Sequence, residues 1–132
     1  DAPCSSEARF DTRDAKSMAH WHLAKVKECA HKQKRLLHAA IIAAKVGACI
    51  VYSTCSFSPE ENEAIIAAQL KTFGESLAIE PIAPLAGMAV QYQAGLTAWG
   101  KKTYPDSLSN AVRVLPNAEF DGFFMCKLRK LA

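Results

Sequence analysis

Cys55 stands between two unlike pieces of sequence, in the stretch Ala48 to Glu63, ACIVYSTCSFSPEENE. Before it, Ala48 to Thr54 is an apolar run rich in β-branched and aromatic residues, the composition of a buried strand. After it, Ser58-Pro59-Glu60-Glu61 has the form of a helix start. Ser58 is placed to cap, Pro59 suits the first helical position, and Glu61 completes a capping box. The pattern predicts a thiol at the carboxyl end of a strand and beside a helix N-terminus. Open α/β sheets place their chemistry there, and a helix N-terminus makes a thiol more acidic and a better nucleophile. A free cysteine is most often a small buried hydrophobe, so position alone leaves both roles open. A second thiol, Cys4, lies in the opening run Asp1-Ala2-Pro3-Cys4-Ser5.

Three segments carry a family resemblance. YSTCSFSPEENE resembles the hallmark motif of the Sun-type (Nol/Nop/Sun) RNA cytosine-5 methyltransferases, and DAPCS resembles their second hallmark motif. The two occur in the family's order and at its usual separation. The closing DGFFMCKLRK, Asp121 to Lys130, is similar to the way those domains end. The resemblance implies S-adenosylmethionine as methyl donor and RNA, ribosomal or transfer, as substrate. It also implies a use for two cysteines. C5 of cytosine is a poor nucleophile until a group adds at C6; a thiolate added there makes C5 reactive enough to take a methyl group. By resemblance Cys55 is that nucleophile and Cys4 assists release of the product. Asp1 matches the acidic residue that contacts both cofactor and base. Pro3 and Ser56, beside the two thiols, are expected substrate contacts, with Arg9 as a phosphate contact. A base in a duplex is out of reach, so the target must be unpaired or flipped.

Two other readings stand beside this one. DNA cytosine-5 methyltransferases use a Pro-Cys nucleophile, which would make Cys4 the attacker, but they lack the TCSxxPEENE stretch. A non-catalytic RNA-binding or assembly module would keep the fold without turnover. The chain also departs from the family pattern where Ser6 and Ala8 stand at positions of glycine, a change that bears on how closely a ligand approaches that backbone.

Around these residues the sequence predicts a surface loop over 5–16 and, over about 17–44, a long helix or two broken ones. Val26, Cys29, Ala30, Gln33, Leu36, Leu37, Ala40, Ile41 and Ala44 form the apolar face of that helix. Lys25, Lys27, Lys32, Lys34 and Arg35 occupy its other sides, either as a solvated face or as a track for an RNA backbone. Gly47 ends the helix, and a second helix follows over Pro59 to Phe73. Pro81, Pro84, Gly87, Gly95, Gly100 and Pro105 break up residues 74–110, which read as a substrate-facing loop where Trp99 and Tyr104 stack on a base or anchor to the core. Ala111–Leu115 and Gly122–Leu128 read as a hairpin, because the seven residues from Pro116 to Gly122 are too few for a parallel crossover. Cys126 falls mid-strand, and Lys127, Arg129 and Lys130 form a basic tail. The expected class is α/β: the second half of a Rossmann-like methyltransferase fold, a mainly parallel sheet closed by an antiparallel hairpin.

The 132 residues are 50% hydrophobic and 22% charged, ordinary for a globular domain. Sixteen basic against thirteen acidic residues leave +3, which tolerates nucleic acid without demanding it. No apolar run approaches membrane-span length, and no signal-peptide pattern opens the chain. Five cysteines without CxxC pairs argue against a disulfide framework and for a reducing, cytoplasmic setting (nucleolar in a eukaryote). His20, His22, His31 and His38 are irregularly spaced, so no metal site is expected. The family's glycine-rich cofactor loop is not among these residues. Residues 1–132 are therefore expected to form the C-terminal part of a catalytic domain, partnered by a missing N-terminal half and inactive alone.

Overall fold

A computed structural model of the chain describes residues 1–83 and 90–132. Pro84 and Gly87, named above as chain breakers, lie outside the described residues. Short 3-10 turns at Glu7–Arg9 and Ala15–Ser17 lead into helix α1, Leu23–Ala43. Its start falls six residues later than predicted, where the His22 ring accepts from the Lys25 amide as an N-cap. Val26, Cys29, Gln33, Leu37 and Ile41 are buried at spacings of three and four, while Leu36 and Ala40, expected on the same face, are exposed. The predicted stripe was wider than the surface that covers it.

Strand β1, Cys49–Thr54, leads through Cys55 to helix α2, Glu63–Phe73. Pro59 to Asn62 form a turn, so α2 begins four residues later than predicted. The capping box does not form. Ser58 Oγ donates to Glu60 Oε2 at 2.7 Å, and the Glu61 carboxylate is taken by tertiary partners. Strand β2, Leu77–Glu80, and β3, Tyr92–Ala94, occupy the stretch expected to be loop. A two-stranded ribbon, β4 (Ala98–Trp99) with β5 (Lys102–Thr103), follows. Trp99 on it is exposed, and Tyr104 packs against the core, so of the two only Tyr104 is an anchor. Strands β6, Val112–Val114, and β7, Phe123–Lys130, pair antiparallel as the predicted hairpin.

The sheet corrects the expected strand arrangement. Every described pairing is antiparallel. β7 runs between β1 on one side and β2 and β6 on the other, with β3 beyond β6. β1 and β2 point the same way, as a strand–helix–strand crossover requires, but β7 is inserted between them and takes their hydrogen bonds. The fold class is α/β, and the predicted parallel ladder is absent among the described residues.

Leu37 and Ile41 of α1, Ile65 and Ile66 of α2, and Tyr52, Phe124, Cys126 and Leu128 of the sheet form one buried cluster. At the far end of the sheet, Lys127 and Arg129 pair with Glu80, and Lys130 Nζ donates to the Ala44 and Ile42 carbonyls at the end of α1. The basic tail thus joins β7 to β2 and caps α1, where the helix dipole favours a cation.

Candidate active site

Two chain segments meet at the carboxyl end of β1. The N-terminal segment lies against that strand, with the Ala2 amide donating to the Ser53 carbonyl at 2.9 Å. It turns at Ser6, and the Ala8 amide then donates to the Cys55 carbonyl at 3.2 Å. These two bonds bracket the thiols. Cys4 Sγ and Cys55 Sγ stand 3.1 Å apart, both half-buried, although 51 residues separate them in sequence. Gly122 closes the site from the β6–β7 loop: its amide donates to the Ala8 carbonyl, and a Cβ there would overlap the Phe57 ring and the Ala8 side chain.

Glu61 holds the two segments together. Its side chain is fully buried. Oε1 accepts from the Ser5 amide and from Gln33 Nε2, each at 2.9 Å; Oε2 accepts from Ser56 Oγ at 2.9 Å and from Ser5 Oγ. One carboxylate therefore ties the residue after Cys4, the residue after Cys55 and the middle of α1. Gln33 also donates to the Pro3 carbonyl at 2.8 Å. A second layer fixes the loop that carries Cys55. Thr54 Oγ1 donates to Asn62 Oδ1 at 2.6 Å, Asn62 Nδ2 donates to the Ser56 carbonyl at 2.8 Å, and the Tyr52 hydroxyl donates to the Glu61 carbonyl at 2.7 Å. Buried carboxylates and amides are tolerated when their hydrogen bonds are made; here the Glu61 carboxylate and both Asn62 side-chain atoms have partners, while Gln33 Oε1 is buried without one.

Burial pushes the Cys4 thiol up to about 11, and its contact with Cys55 adds to the rise. Cys4 thus keeps its proton near neutral pH, because burial penalises its charged form. A protonated Cys4 can donate to a Cys55 thiolate. The predicted helix N-terminus does not adjoin Cys55, since α2 starts only at Glu63. The thiol's surroundings are Cys4 and Ser6 instead.

The other expected site residues are placed as follows. Asp1 and Pro3 are exposed and line a groove of about 190 Å³ along β1 with Leu36, Ala40 and Val51. Arg9 is exposed and pairs with Asp121 at 3.3 Å, a surface ion pair of the kind that contributes little to stability. Ser56, expected to touch substrate, is fully buried with its hydroxyl turned to Glu61 and Glu7, so its side chain supports the Cys55 loop. Glu61, Gln33 and Ser6 were not foreseen as site residues. The signal for Gln33 was a polar residue in the middle of an apolar helix stripe; Glu61 was visible in the motif but read as a cap. Among the described residues no group of three or more His, Cys, Asp or Glu is placed to hold a metal ion, and no helix is long and apolar enough to cross a membrane.

A family model described as 16S rRNA methyltransferase RsmB/F matches residues 1–129. The chain is 34% identical over 133 residues to the ribosomal RNA small subunit methyltransferase F of Vibrio cholerae serotype O1, covering 100% of this chain and 25% of that protein. It is 35% identical over 133 residues to the protein of the same name from Vibrio vulnificus, again with 100% and 25% coverage. Among solved structures it resembles a methyltransferase homolog protein from Pyrococcus horikoshii, with 33% identity and TM-score 0.72 over 85% of this chain and 34% of that one. NSun6 from Pyrococcus horikoshii, solved with SFG, shares the fold at TM-score 0.68 and 24% identity, over 100% of this chain and 29% of that one. The chain spans about a quarter of the length of the curated relatives it matches. A match over nearly the whole chain, joined to two thiols brought together by its two motifs, means that the chain belongs to the 16S rRNA methyltransferase RsmB/F family.

Proposed function

We propose that this chain is the thiol-bearing part of an S-adenosylmethionine-dependent RNA cytosine-5 methyltransferase acting on ribosomal RNA in the cytoplasm, with transfer RNA the other substrate the reading allows. The observation that carries it is the 3.1 Å approach of Cys4 and Cys55 from segments 51 residues apart. Simple burial of two small side chains does not require a buried carboxylate that joins their segments through both the amide and the hydroxyl of Ser5, whereas a two-thiol reaction needs that registration.

In this reading Cys55 gives up its proton and its sulfur bonds to C6 of an unpaired cytosine. The electron pair of the C5–C6 double bond moves towards C5. S-adenosylmethionine, when bound, supplies the electrophilic methyl group. Transfer of the C5 proton to solvent then re-forms the double bond and expels the Cys55 thiolate. Cys4 holds a proton beside the leaving sulfur and assists that release. Asp1, exposed at the edge of β1, offers a carboxylate acceptor to both the methyl donor and the base. Pro3 and Arg9 flank the path of the RNA. Ser56 contributes by holding the Cys55 loop. The remainder of the methyl donor's site is proposed to come from residues outside this chain, so the isolated 132 residues are inactive.

The test is methyl transfer from labelled S-adenosylmethionine to RNA by the full-length protein. Cys55→Ala is expected to abolish it while leaving thermal stability close to that of the parent. Full activity in that variant would remove Cys55 from the reaction and move the attack to Cys4.

A further inference from the structure

Ser6 is the one non-glycine residue with a positive φ among the described residues, at φ 63° and ψ 25°. Side chains other than glycine, asparagine and aspartate pay an energetic penalty in this left-handed conformation, and serine has no special tolerance of it. Such strain persists where the surroundings impose it, and it concentrates at working sites. The conformation aims the Ser6 hydroxyl into the thiol pair. Its Oγ lies 3.5 Å from Cys55 Sγ and 3.7 Å from Cys4 Sγ, both within hydrogen-bond range for sulfur. Its other nearby acceptor is the Cys4 carbonyl, at 3.4 Å. Ser6 also belongs to a tightly held stretch: Ser5 before it is clamped by Glu61, and its own carbonyl accepts from the Arg9 amide at 3.1 Å.

We propose that the Ser6 hydroxyl is a further catalytic group, a hydrogen-bond donor that stabilises the Cys55 thiolate. With Cys55 protonated, the S–H donates to Ser6 Oγ and the Ser6 hydroxyl donates to the Cys4 carbonyl. When Cys55 ionises, the Ser6 hydroxyl turns its single proton to the sulfur. Cys4, protonated on the other side, supplies a second donor, so the anion is held between two donors on one strained turn. The lowering effect of Ser6 on the neighbouring Cys4 thiol has the same origin. Glycine at this position would fit the backbone without strain but would leave the thiolate one donor short.

This inference rests on Cys55 being the nucleophile, and its test needs neither RNA nor methyl donor. Iodoacetamide alkylation at Cys55 is followed by peptide mass spectrometry across pH 6 to 10 in full-length parent, Ser6→Gly and Ser6→Ala proteins. Both variants lose the hydroxyl; only Ser6→Gly also relieves the strain. Their pH–rate profiles are expected to move to higher pH by about one unit, the size of one hydrogen bond to a charged group. Their alkaline plateaus should lie above the parent's, because a less stabilised thiolate is the stronger nucleophile. Ser6→Gly should melt no lower than Ser6→Ala, and it alone decides the matter if Ser6→Ala fails to fold. An unmoved profile in Ser6→Gly, or a shift confined to Ser6→Ala, overturns the proposal. An unmoved profile with methyl transfer still abolished by Cys55→Ala would sink Ser6 alone; a shifted profile with that activity intact would sink the methyltransferase role of Cys55 alone.

Discussion

Five cysteines share this chain, and their surroundings sort them before any substrate is considered. Cys126 is fully buried in β7, and that burial pushes its thiol up to about 12. Cys29 faces the core from α1, and desolvation raises it too, with Glu61 adding to the rise. A thiol held in its protonated form is a poor nucleophile, since the thiolate reacts. Cys55 is half-buried and flanked by the Cys4 thiol and the Ser6 hydroxyl. Brief iodoacetamide treatment of the native full-length protein near pH 7.5 should therefore label Cys55 and spare Cys126 and Cys29, as read by peptide mass spectrometry. Equal labelling of Cys126 and Cys55 would contradict the packing described for β7. Glu61 shows the same dependence on surroundings. The spacing from Ser58 to Glu61 satisfies a capping box, yet Ser5 and Gln33, distant in the chain, join Ser56 in claiming its carboxylate. Local sequence cannot see such partners.

At the level of elements, the site depends on how α2 is fixed to the sheet. Glu63, the first residue of α2, is fully buried and meets Arg113 of β6 through two bonds, Nε to Oε1 at 2.7 Å and Nη2 to Oε2 at 2.5 Å. Arg113 Nη1 also donates to the Phe57 carbonyl at 3.0 Å, two residues beyond Cys55. Removing one partner of a buried pair leaves the other charge unpaired, at a cost of about 3–5 kcal/mol. Arg113→Leu should lower the midpoint of chemical denaturation accordingly, and Arg113→Leu with Glu63→Leu should recover much of the loss. Equal stability of parent and Arg113→Leu would mean that the pair contributes nothing. Much of this architecture was legible. The strand before Cys55, the helix ending at Phe73 and the closing hairpin were visible because each carries its own apolar period or turn residues. β2 was missed because four residues, Leu77–Glu80, are too few to stand out among prolines and glycines. The antiparallel order was missed because it depends on β7 inserting between β1 and β2, a pairing over some fifty residues and more that no local pattern records.

For the molecule as a whole, the chain makes up about a quarter of its curated relatives. Among the described residues the edge of β1 away from β7 is met by the Asp1–Pro3 segment. Leu36 and Val51, 53% and 57% exposed, stand along it. These exposed apolar side chains flank the segment that lies on the β1 edge. Experiments on the chemistry belong in the full-length protein. In the proposed reaction Cys55 bonds to the RNA and Cys4 is needed to release it. A Cys4→Ala variant should complete addition and methyl transfer but stall before elimination. Incubated with RNA and S-adenosylmethionine and run on a denaturing gel, it should give a slower protein–RNA band, and digestion should place the nucleotide on Cys55. The band should vanish in Cys4→Ala with Cys55→Ala. Normal turnover by Cys4→Ala with no band, or a band that survives loss of Cys55, would overturn these roles for the two thiols.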